Sequence, residues 1–456
     1  MQQHHDEPVL PLELLEHIID TLAWELFEPA SRAALYACTL VCKAFYNRAS
    51  GHLISNIVLG TGSKLHDNAD AHIILHRQLE GLSDLLDARP SLASRVKALT
   101  IETWFGGVSP VEDRDLLLDN PHIPIIFPKL VSLSSFSWIN NDKIFPWSSF
   151  SFPILEAFSN LLRTPTLGSQ TFECIESLPP SYLTRCTNLQ RLRLVHVDPP
   201  EIEGIPQLHD SPPSQQNENE PTTKLHTMVN RNASELVSRI LSDGSEASSM
   251  FSRLCVLRMW MRKEDEVRVA WAVMQSASES LEELDIQDMS HFGYPTLIPG
   301  PVDIGILKNL YKIKINCIIA SGDGVIVPQG ISGLLSPPTT PSRVQNIEVT
   351  INWIDCRIGT EEDRSAPPRW RVLDETLSRR STFPDLKSVL LTLKLGYGWS
   401  SSPSQPDPPT RIVAVKNHLL QLAGRLLPVT SRIPTVKTNI SVLLYNSPYA
   451  SNSAFY

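Results

Sequence analysis

Residues 281–286 read LEELDI and residues 310–315 read LYKIKI, and both stretches share one spacing of apolar side chains. An apolar residue is followed by a second three positions later and by a third two positions after that. Alternation of apolar and polar residues is typical of a strand with one buried face. The same spacing recurs at Val96/Leu99/Ile101, Leu189/Leu192/Leu194, Leu254/Leu257/Met259, Leu281/Leu284/Ile286, Leu310/Ile313/Ile315, Val344/Ile347/Val349 and Leu386/Val389/Leu391.

The distance between successive stretches is that of a solenoid repeat. The steps are 27, 29, 34 and 42 residues, counted through Leu257, Leu284, Ile313, Ile347 and Val389. Apolar residues at helical spacing in 268–275 and 224–241 indicate amphipathic helices between the strands. We therefore expect an α/β fold in which strand, connector and strand alternate.

This pattern resembles that of leucine-rich repeat proteins and covers residues 95–445. The family adds Asn or Cys three positions after the last apolar residue, and only Asn352 occupies that position here. The resemblance implies an irregular, divergent αβ solenoid with a mainly parallel sheet. Another αβ arrangement with a largely parallel sheet is the alternative.

The first 50 residues follow a helical pattern instead. Leu15, Ile18, Ile19 and Leu22 lie at helical spacing, and residues 30–47 contain good helix formers without Pro or Gly. A unit of about 40 residues is too small to bury a sufficient core by itself. We expect a helical module that depends on a partner or on the following domain.

Two segments of this module, residues 10–15 (LPLELL) and 40–45 (LVCKAF), resemble the F-box. The resemblance covers residues 10–50 of the 456, and 30 residues separate Pro11 from Val41. It implies a three-helix module that binds a Skp-type adaptor and, through it, a cullin. The expected adaptor-binding residues are Leu10, Pro11, Leu14, Leu15, Ile18, Leu22, Leu40, Val41, Cys42 and Phe45.

The F-box resemblance implies a substrate-recognition adaptor of an SCF-type E3 ubiquitin ligase, in which the repeats bind a protein target. The alternative is a ubiquitin-independent interaction scaffold whose N-terminal helices only cap the solenoid. Tryptophan is enriched at interface hot spots, although core packing is its other common use. The candidate target-binding residues are Trp104, Trp138, Trp260 and Trp353.

Composition excludes several other classes of function. A net charge of -9 without a basic block argues against nucleic acid as a partner. Residues 1–9 lack the apolar core of a secretory signal, and no run of 18 apolar residues predicts a membrane span. Seven cysteines without a CxxC pair fit a reducing compartment. We expect a cytoplasmic or nuclear protein, or one present in both.

The predicted organisation has three parts. Residues 1–9 form a flexible polar tail, residues 10–50 the helical module, and residues 51–450 the repeat domain. Prolines and polar residues without apolar periodicity predict loop insertions near residues 199–224 and 399–410.

No motif predicts an enzyme, a metal site or a cofactor. His72 and His76 have the helical spacing of a two-histidine site, and His66, Asp67 and Asp70 lie nearby. However, Ile73 stands where a zincin needs glutamate, which favours a solvated helix face. No GxSxG elbow and no phosphate-binding glycine loop occurs in the sequence.

Overall fold

The computed structural model describes most of the chain between residues 11 and 446. The described residues are 11–24, 29–60, 71–103, 117–140, 144–200, 225–242, 249–261, 263–288, 303–323, 331, 334–335, 340–357, 368–397 and 426–446. They divide into two compact units. Unit 1 comprises Met1–Leu178 and Arg185–Leu189, and unit 2 comprises Pro179–Thr184 and Gln190–Tyr456.

Unit 1 begins with three helices and continues with strands joined by helical connectors. Its helices are α1 (Leu12–Trp24), α2 (Pro29–Cys38), α3 (Lys43–Ser55), α4 (Ala71–Ala88), α5 (Ile123–Ile126) and α6 (Phe152–Leu162), with short 3-10 helices at Pro90–Arg95, Phe127–Lys129 and Trp147–Ser149. Its strands are β1 (Asn56–Leu59), β2 (Ala98–Thr103), β3 (Ser135–Asn140), β4 (Phe145–Pro146) and β5 (Ser169–Glu176). Strands β1, β2, β3 and β5 pair in that order, β4 pairs with β5, and every pair is parallel.

Unit 2 consists of strands that alternate with helical or irregular connectors. Its helices are α7 (Pro180–Thr184), α8 (Ser234–Ser242), α9 (Glu264–Ser276) and α10 (Pro368–Ser378), with 3-10 helices at Ile304–Ile306 and Thr430–Arg432. Its strands are β6 (Arg191–Val197), β7 (Thr227–Arg231), β8 (Val256–Met261), β9 (Glu283–Asp288), β10 (Lys312–Asp323), β11 (Asn346–Arg357), β12 (Ser388–Tyr397) and β13 (Lys437–Asn446). From β6 to β13, each strand pairs in parallel with the next one along the chain.

The strand register of unit 2 follows the spacing of apolar residues in the sequence. The middle residues of five successive stretches lie opposite one another, in the order Leu257, Leu284, Ile313, Ile347 and Val389. All three apolar residues of each of the seven stretches are buried. Because alternate side chains of a strand point to opposite faces, this register places one apolar row after another in the same core. The predicted α/β solenoid with a mainly parallel sheet is confirmed at this level.

Unit 1 contains a repeat that the sequence pattern did not single out. Leu133, Phe136 and Trp138 have the same spacing as the other stretches and are fully buried. Trp138 lies opposite Ile101 on β2 and Phe172 on β5, so it occupies the third apolar position of its repeat. Aromatic side chains pack around this row, with ring centroids 5.0 Å apart for Phe127 and Phe158, 5.1 Å for Trp138 and Phe150, and 4.7 Å for Trp147 and Phe158.

The amphipathic helix predicted for residues 224–241 is wrong in its first half. Residues Thr227–Arg231 form β7, and helix α8 begins only at Ser234. Leu225 and Met228 are three residues apart, which fits both a helix face and the first two positions of a repeat. The third position is Asn230, which is buried and accepts a hydrogen bond from the Ala233 amide at 3.0 Å. The helix predicted at 268–275 is confirmed within α9.

Other predicted boundaries are only partly covered by the described residues. Helix α3 extends to Ser55, five residues beyond the predicted end of the helical module, and β1 follows it directly. The predicted tail at residues 1–9 lies outside the described residues, as do residues 201–224 and 399–410 of the two loop insertions.

Replacement of one inward residue tests whether these rows stabilise the fold. Leu284 is 1% exposed and lies between Leu257 and Ile313 in the register. We expect Leu284→Ala to lower the free energy of unfolding by about 2–5 kcal/mol, because it removes buried methyl groups and leaves a cavity. Urea unfolding followed by circular dichroism measures the change.

Lys308→Ala is the matched control, since Lys308 is exposed and forms only a surface ion pair with Glu279. Its effect should stay below about 0.5 kcal/mol. An unchanged urea midpoint for Leu284→Ala would contradict the assignment of this row to the core.

Candidate protein interaction surfaces

The three N-terminal helices pack around a small apolar core. Ile19 of α1, Leu35 of α2 and Ala49 of α3 are buried, and Leu22 and Phe45 pack against them while remaining half-buried. Helix α1 starts where the carbonyl of Pro11 accepts hydrogen bonds from the amides of residues 14 and 15, at 3.1 and 3.3 Å. Because this core is small, additional contacts between the helices matter for its stability.

An ion-pair cluster joins α1 to α3. The guanidinium of Arg48 donates to both carboxylate oxygens of Asp20, at 2.8 and 2.5 Å, and His52 Nε2 lies 2.7 Å from one of them. Hydrogen bonds from Arg48 and then from His52 hold the pKa of Asp20 well below its usual range. The cluster therefore favours the folded arrangement of α1 and α3 whenever Asp20 is ionised.

A second set of apolar side chains in this module points away from its core. Leu14 and Ile18 of α1 are 50% and 51% exposed, and Leu40 and Val41 in the turn between α2 and α3 are 87% and 65% exposed. Leu14 and Ile18 are four residues apart and therefore lie on the same side of α1. We call these four residues the helical surface. We treat them as a candidate interaction site because they belong to or adjoin the two segments that resemble the F-box.

The predicted adaptor-binding residues are thus divided between two environments. Pro11, Cys42 and the four residues of the helical surface are exposed, whereas Leu15, Leu22 and Phe45 are half-buried. Leu10 lies outside the described residues. The half-buried members help to hold the three helices together, and only the exposed members are available to a partner.

The four tryptophans predicted to bind a target lie in different environments. The prediction that Trp138 contacts a target is wrong, because its side chain is fully buried in the third apolar position of its repeat. Trp260 is half-buried on the opposite, outward face of β8, where the Arg231 guanidinium lies 5.6 Å from its ring centroid. Trp104 and the side chain of Trp353 lie outside the described part of the structure.

Several polar and charged side chains on the outward face of the strands of unit 2 contact one another. Asp285 of β9 accepts hydrogen bonds from Gln287 and Asn316, both at 3.1 Å, and lies 3.9 Å from Arg258 Nε. On the next strands, Lys312 and Lys314 contact the Glu348 carboxylate at 3.0 and 3.3 Å. Desolvation raises the pKa of Glu348, but the hydrogen bonds from these two lysines outweigh it and hold the pKa below its usual value.

Four arginines lie at one end of this face, and the search for motifs did not single them out. They are Arg191 and Arg193 of β6, Arg231 of β7 and Arg258 of β8, and we call them the arginine patch. A signal for three of them was present in the sequence. Within each repeat, the residues just before and just after the second apolar position face outward, and Arg191, Arg193 and Arg258 occupy such positions.

The described residues hold no group of three or more His, Cys, Asp or Glu side chains that could bind a metal ion. In the predicted histidine cluster, His76 Nδ1 lies 3.0 Å from the Asn120 side-chain amide, and its ring contacts that of His122. His66, Asp67, Asp70 and the side chain of His72 lie outside the described part of the structure. None of the described helices combines the length and apolar character needed to cross a membrane.

Comparison with known proteins adds little to this picture. No family model matches the chain, and no curated protein matches it. Among solved structures, the chain is similar to an internalin from Listeria monocytogenes, with 15% identity over 81% of this chain and 90% of the internalin chain and a TM-score of 0.29. A TM-score this low supports no argument about what the chain binds. The class of the protein, an α/β solenoid with a mainly parallel sheet, follows from its own strand order and register.

The ion-pair cluster predicts how the stability of the helical module depends on pH. Since the pKa of Asp20 is lowered in the folded chain, its contribution is complete above the unfolded value of about 3.9 and is lost as the pH falls toward the folded value. We expect Asp20→Asn to increase hydrogen–deuterium exchange of α1 and α3 at neutral pH. The difference from wild type should shrink below about pH 4.

Asp84→Asn is a suitable control, because Asp84 is an exposed aspartate of α4 without an ion pair to any described residue. Exchange in α1 and α3 should be unchanged in this control. Equal exchange in wild type and Asp20→Asn at neutral pH would show that the cluster does not stabilise the module.

Proposed function

We propose that this protein is the substrate-recognition adaptor of an SCF-type E3 ubiquitin ligase. In this role the helical surface binds a Skp-type adaptor, which links the chain to a cullin, and the strands of the solenoid hold a protein target. The chain itself positions the target, and the associated enzymes transfer ubiquitin. Such a complex would act in the cytoplasm, the nucleus or both.

The exposure of the helical surface is the observation that carries this proposal. Residues 12–15 of the first segment lie on α1, and residues 40–45 lie in the turn between α2 and α3 and in the first turn of α3. Leu14, Leu40 and Val41 of these segments, and Ile18 one turn further along α1, are all at least half exposed. Full burial of one such aliphatic side chain against a partner contributes about 1.5–3 kcal/mol. These side chains would therefore form part of a larger interface, because association also costs translational and rotational freedom.

The division between exposed and half-buried residues also fits a docking module. The same helical module supplies Leu22 and Phe45, which pack on the core, and Leu14 and Val41, which do not. An adaptor that covers the helical surface would complete the burial that this small module lacks.

A capped scaffold without a link to ubiquitin is the second candidate. Its support is that α3 continues directly into β1, and that the Lys97 amide donates to the Ser55 carbonyl at 2.8 Å. The end of α3 is thus tied to the first strands of unit 1, as a terminal cap would be. The cap explains this junction but gives no reason for the exposure of Leu40 and Val41.

Binding to a Skp-type adaptor tests the proposal directly. We expect the full chain to copurify with the adaptor, and a Leu14→Asp, Ile18→Asp double variant to lose it, because two carboxylates would be desolvated in an apolar interface. Copurification from a coexpression is the measurement. Circular dichroism and thermal unfolding must first show that the variant folds like wild type.

Val372→Asp is the matched control, since Val372 is 50% exposed on α10, far along the chain from the helical surface. This variant should retain the adaptor. Failure of the folded wild-type chain to bind any Skp-type adaptor, or equal loss in the control, would leave the capped scaffold as the better description.

A further inference from the structure

The outward face of unit 2 has a charge opposite in sign to that of the whole chain. Its described side chains include eight basic residues, namely Arg191, Arg193, Arg231, Arg258, Lys312, Lys314, Lys394 and Lys437, and three acidic residues, namely Glu283, Asp285 and Glu348. The 456-residue chain carries a net charge of -9. The described part of this face therefore carries an excess of positive charge in an acidic protein, which favours an acidic partner there.

At the arginine patch, part of the positive charge of this face has no carboxylate partner among the described residues. The carboxylates lie on β9 and β11, where Glu348 is paired with two lysines. Arg191 and Arg231 form no ion pair with any described carboxylate. The other two arginines have partners. Arg258 Nε lies 3.9 Å from the Asp285 carboxylate, and Arg193 interacts with another group of the protein.

The register brings the four guanidinium groups within reach of a single short segment. Arg193 and Arg258 both lie opposite Val229, on either side of β7. Strands are about 4.8 Å apart, so these two positions are separated by about 10 Å, or about three residues of an extended peptide. Arg231 lies on the intervening strand, two residues further along, so carboxylates two or three residues apart could reach different arginines.

Trp260 holds one of these arginines in place. The Arg231 guanidinium lies 5.6 Å from the Trp260 ring centroid, and its Nε–H has no acceptor among the described residues. A guanidinium that is held on an aromatic ring keeps its charge and loses less side-chain entropy when it binds a carboxylate. The pair therefore combines a fixed positive charge with a neighbouring half-buried aromatic ring.

We propose that the arginine patch and Trp260 bind an acidic segment of a protein partner, with aspartate or glutamate side chains two or three residues apart. The guanidinium groups donate to its carboxylates, and Trp260 contacts the aliphatic part of a neighbouring side chain. The inference rests on the proposed function only in taking this partner to be the target of the ligase. Nucleic acid fits less well, because Glu283 and Asp285 on the adjacent strand would repel a continuous phosphate backbone.

Fluorescence polarisation with the full chain tests this inference, and the probe is a fluorescein-labelled octaglutamate peptide. We expect saturable binding that octaglutamine does not reproduce and that weakens with added salt. The Arg231→Gln, Arg258→Gln double variant should bind at least about tenfold more weakly, since it loses two charge-assisted contacts. Trp260→Ala, which leaves the charge unchanged, should also weaken binding, because it frees Arg231.

Arg371→Gln is the matched control, because Arg371 is an exposed arginine of α10 that pairs with Glu375. It makes the same chemical change away from the strands and should bind octaglutamate like wild type. Equal weakening in this control would overturn the assignment to the arginine patch. So would tighter binding of an oligothymidylate, or binding of a phosphoserine octapeptide without binding of octaglutamate.

Adaptor copurification with the same variants separates this inference from the proposed function. Loss of octaglutamate binding with full retention of the Skp-type adaptor supports the arginine patch as a separate site. If wild type binds octaglutamate but no adaptor, the ligase role fails while the acidic-peptide site stands. If it binds the adaptor but not octaglutamate, the acidic-peptide site fails alone.

Discussion

Parallel pairing of each strand with its neighbour is the constraint on which the rest of unit 2 depends. Since equivalent positions lie opposite one another, the apolar residues of successive repeats form continuous rows, from Leu257 through Leu284 to Ile313 and beyond. The same register sends every intervening residue to the opposite face. A substitution at an outward position of one strand therefore affects the side chains of the adjacent strands, because equivalent positions lie side by side. Lys314 and Glu348 are one such pair.

The three N-terminal helices are too few to enclose all of their own apolar residues. Among the described residues of the module, Ile19, Leu35 and Ala49 form the buried apolar core, and the Asp20–Arg48–His52 cluster joins two of the three helices from outside. Both the ion pairs and the apolar packing thus stabilise the contact between α1 and α3. This arrangement leaves Leu14 and Ile18 on the surface without loss of the helical fold.

The sequence was sufficient to predict seven of the strands, β2, β6 and β8 to β12, and their core rows, because apolar spacing of three and then two residues directly specifies which side chains point inward. It failed where a residue of another type occupies one of these positions. Asn230 fills an apolar position by capping the backbone at Ala233, and its repeat was therefore interpreted as part of a helix. Trp138 fills one with a ring large enough to suggest a contact surface, although the register makes it part of the core. The arginine patch was missed for a different reason: its residues lie on three strands, and only their pairing brings them together.

The repeat length grows from 27 to 42 residues along the chain, yet the strand register does not shift. The additional residues therefore lie partly in longer strands, since β10 and β11 have 12 residues each and β8 and β9 have six, and partly in the connectors. Closing a longer loop costs only about 0.6 kcal/mol for each doubling of its length. The sequences of the connectors and of the strands can consequently diverge at different rates. Connectors can gain or lose whole segments while the outward side chains of the strands keep their order. Insertions in the connectors and changes in a binding surface on the strands can therefore occur independently of each other.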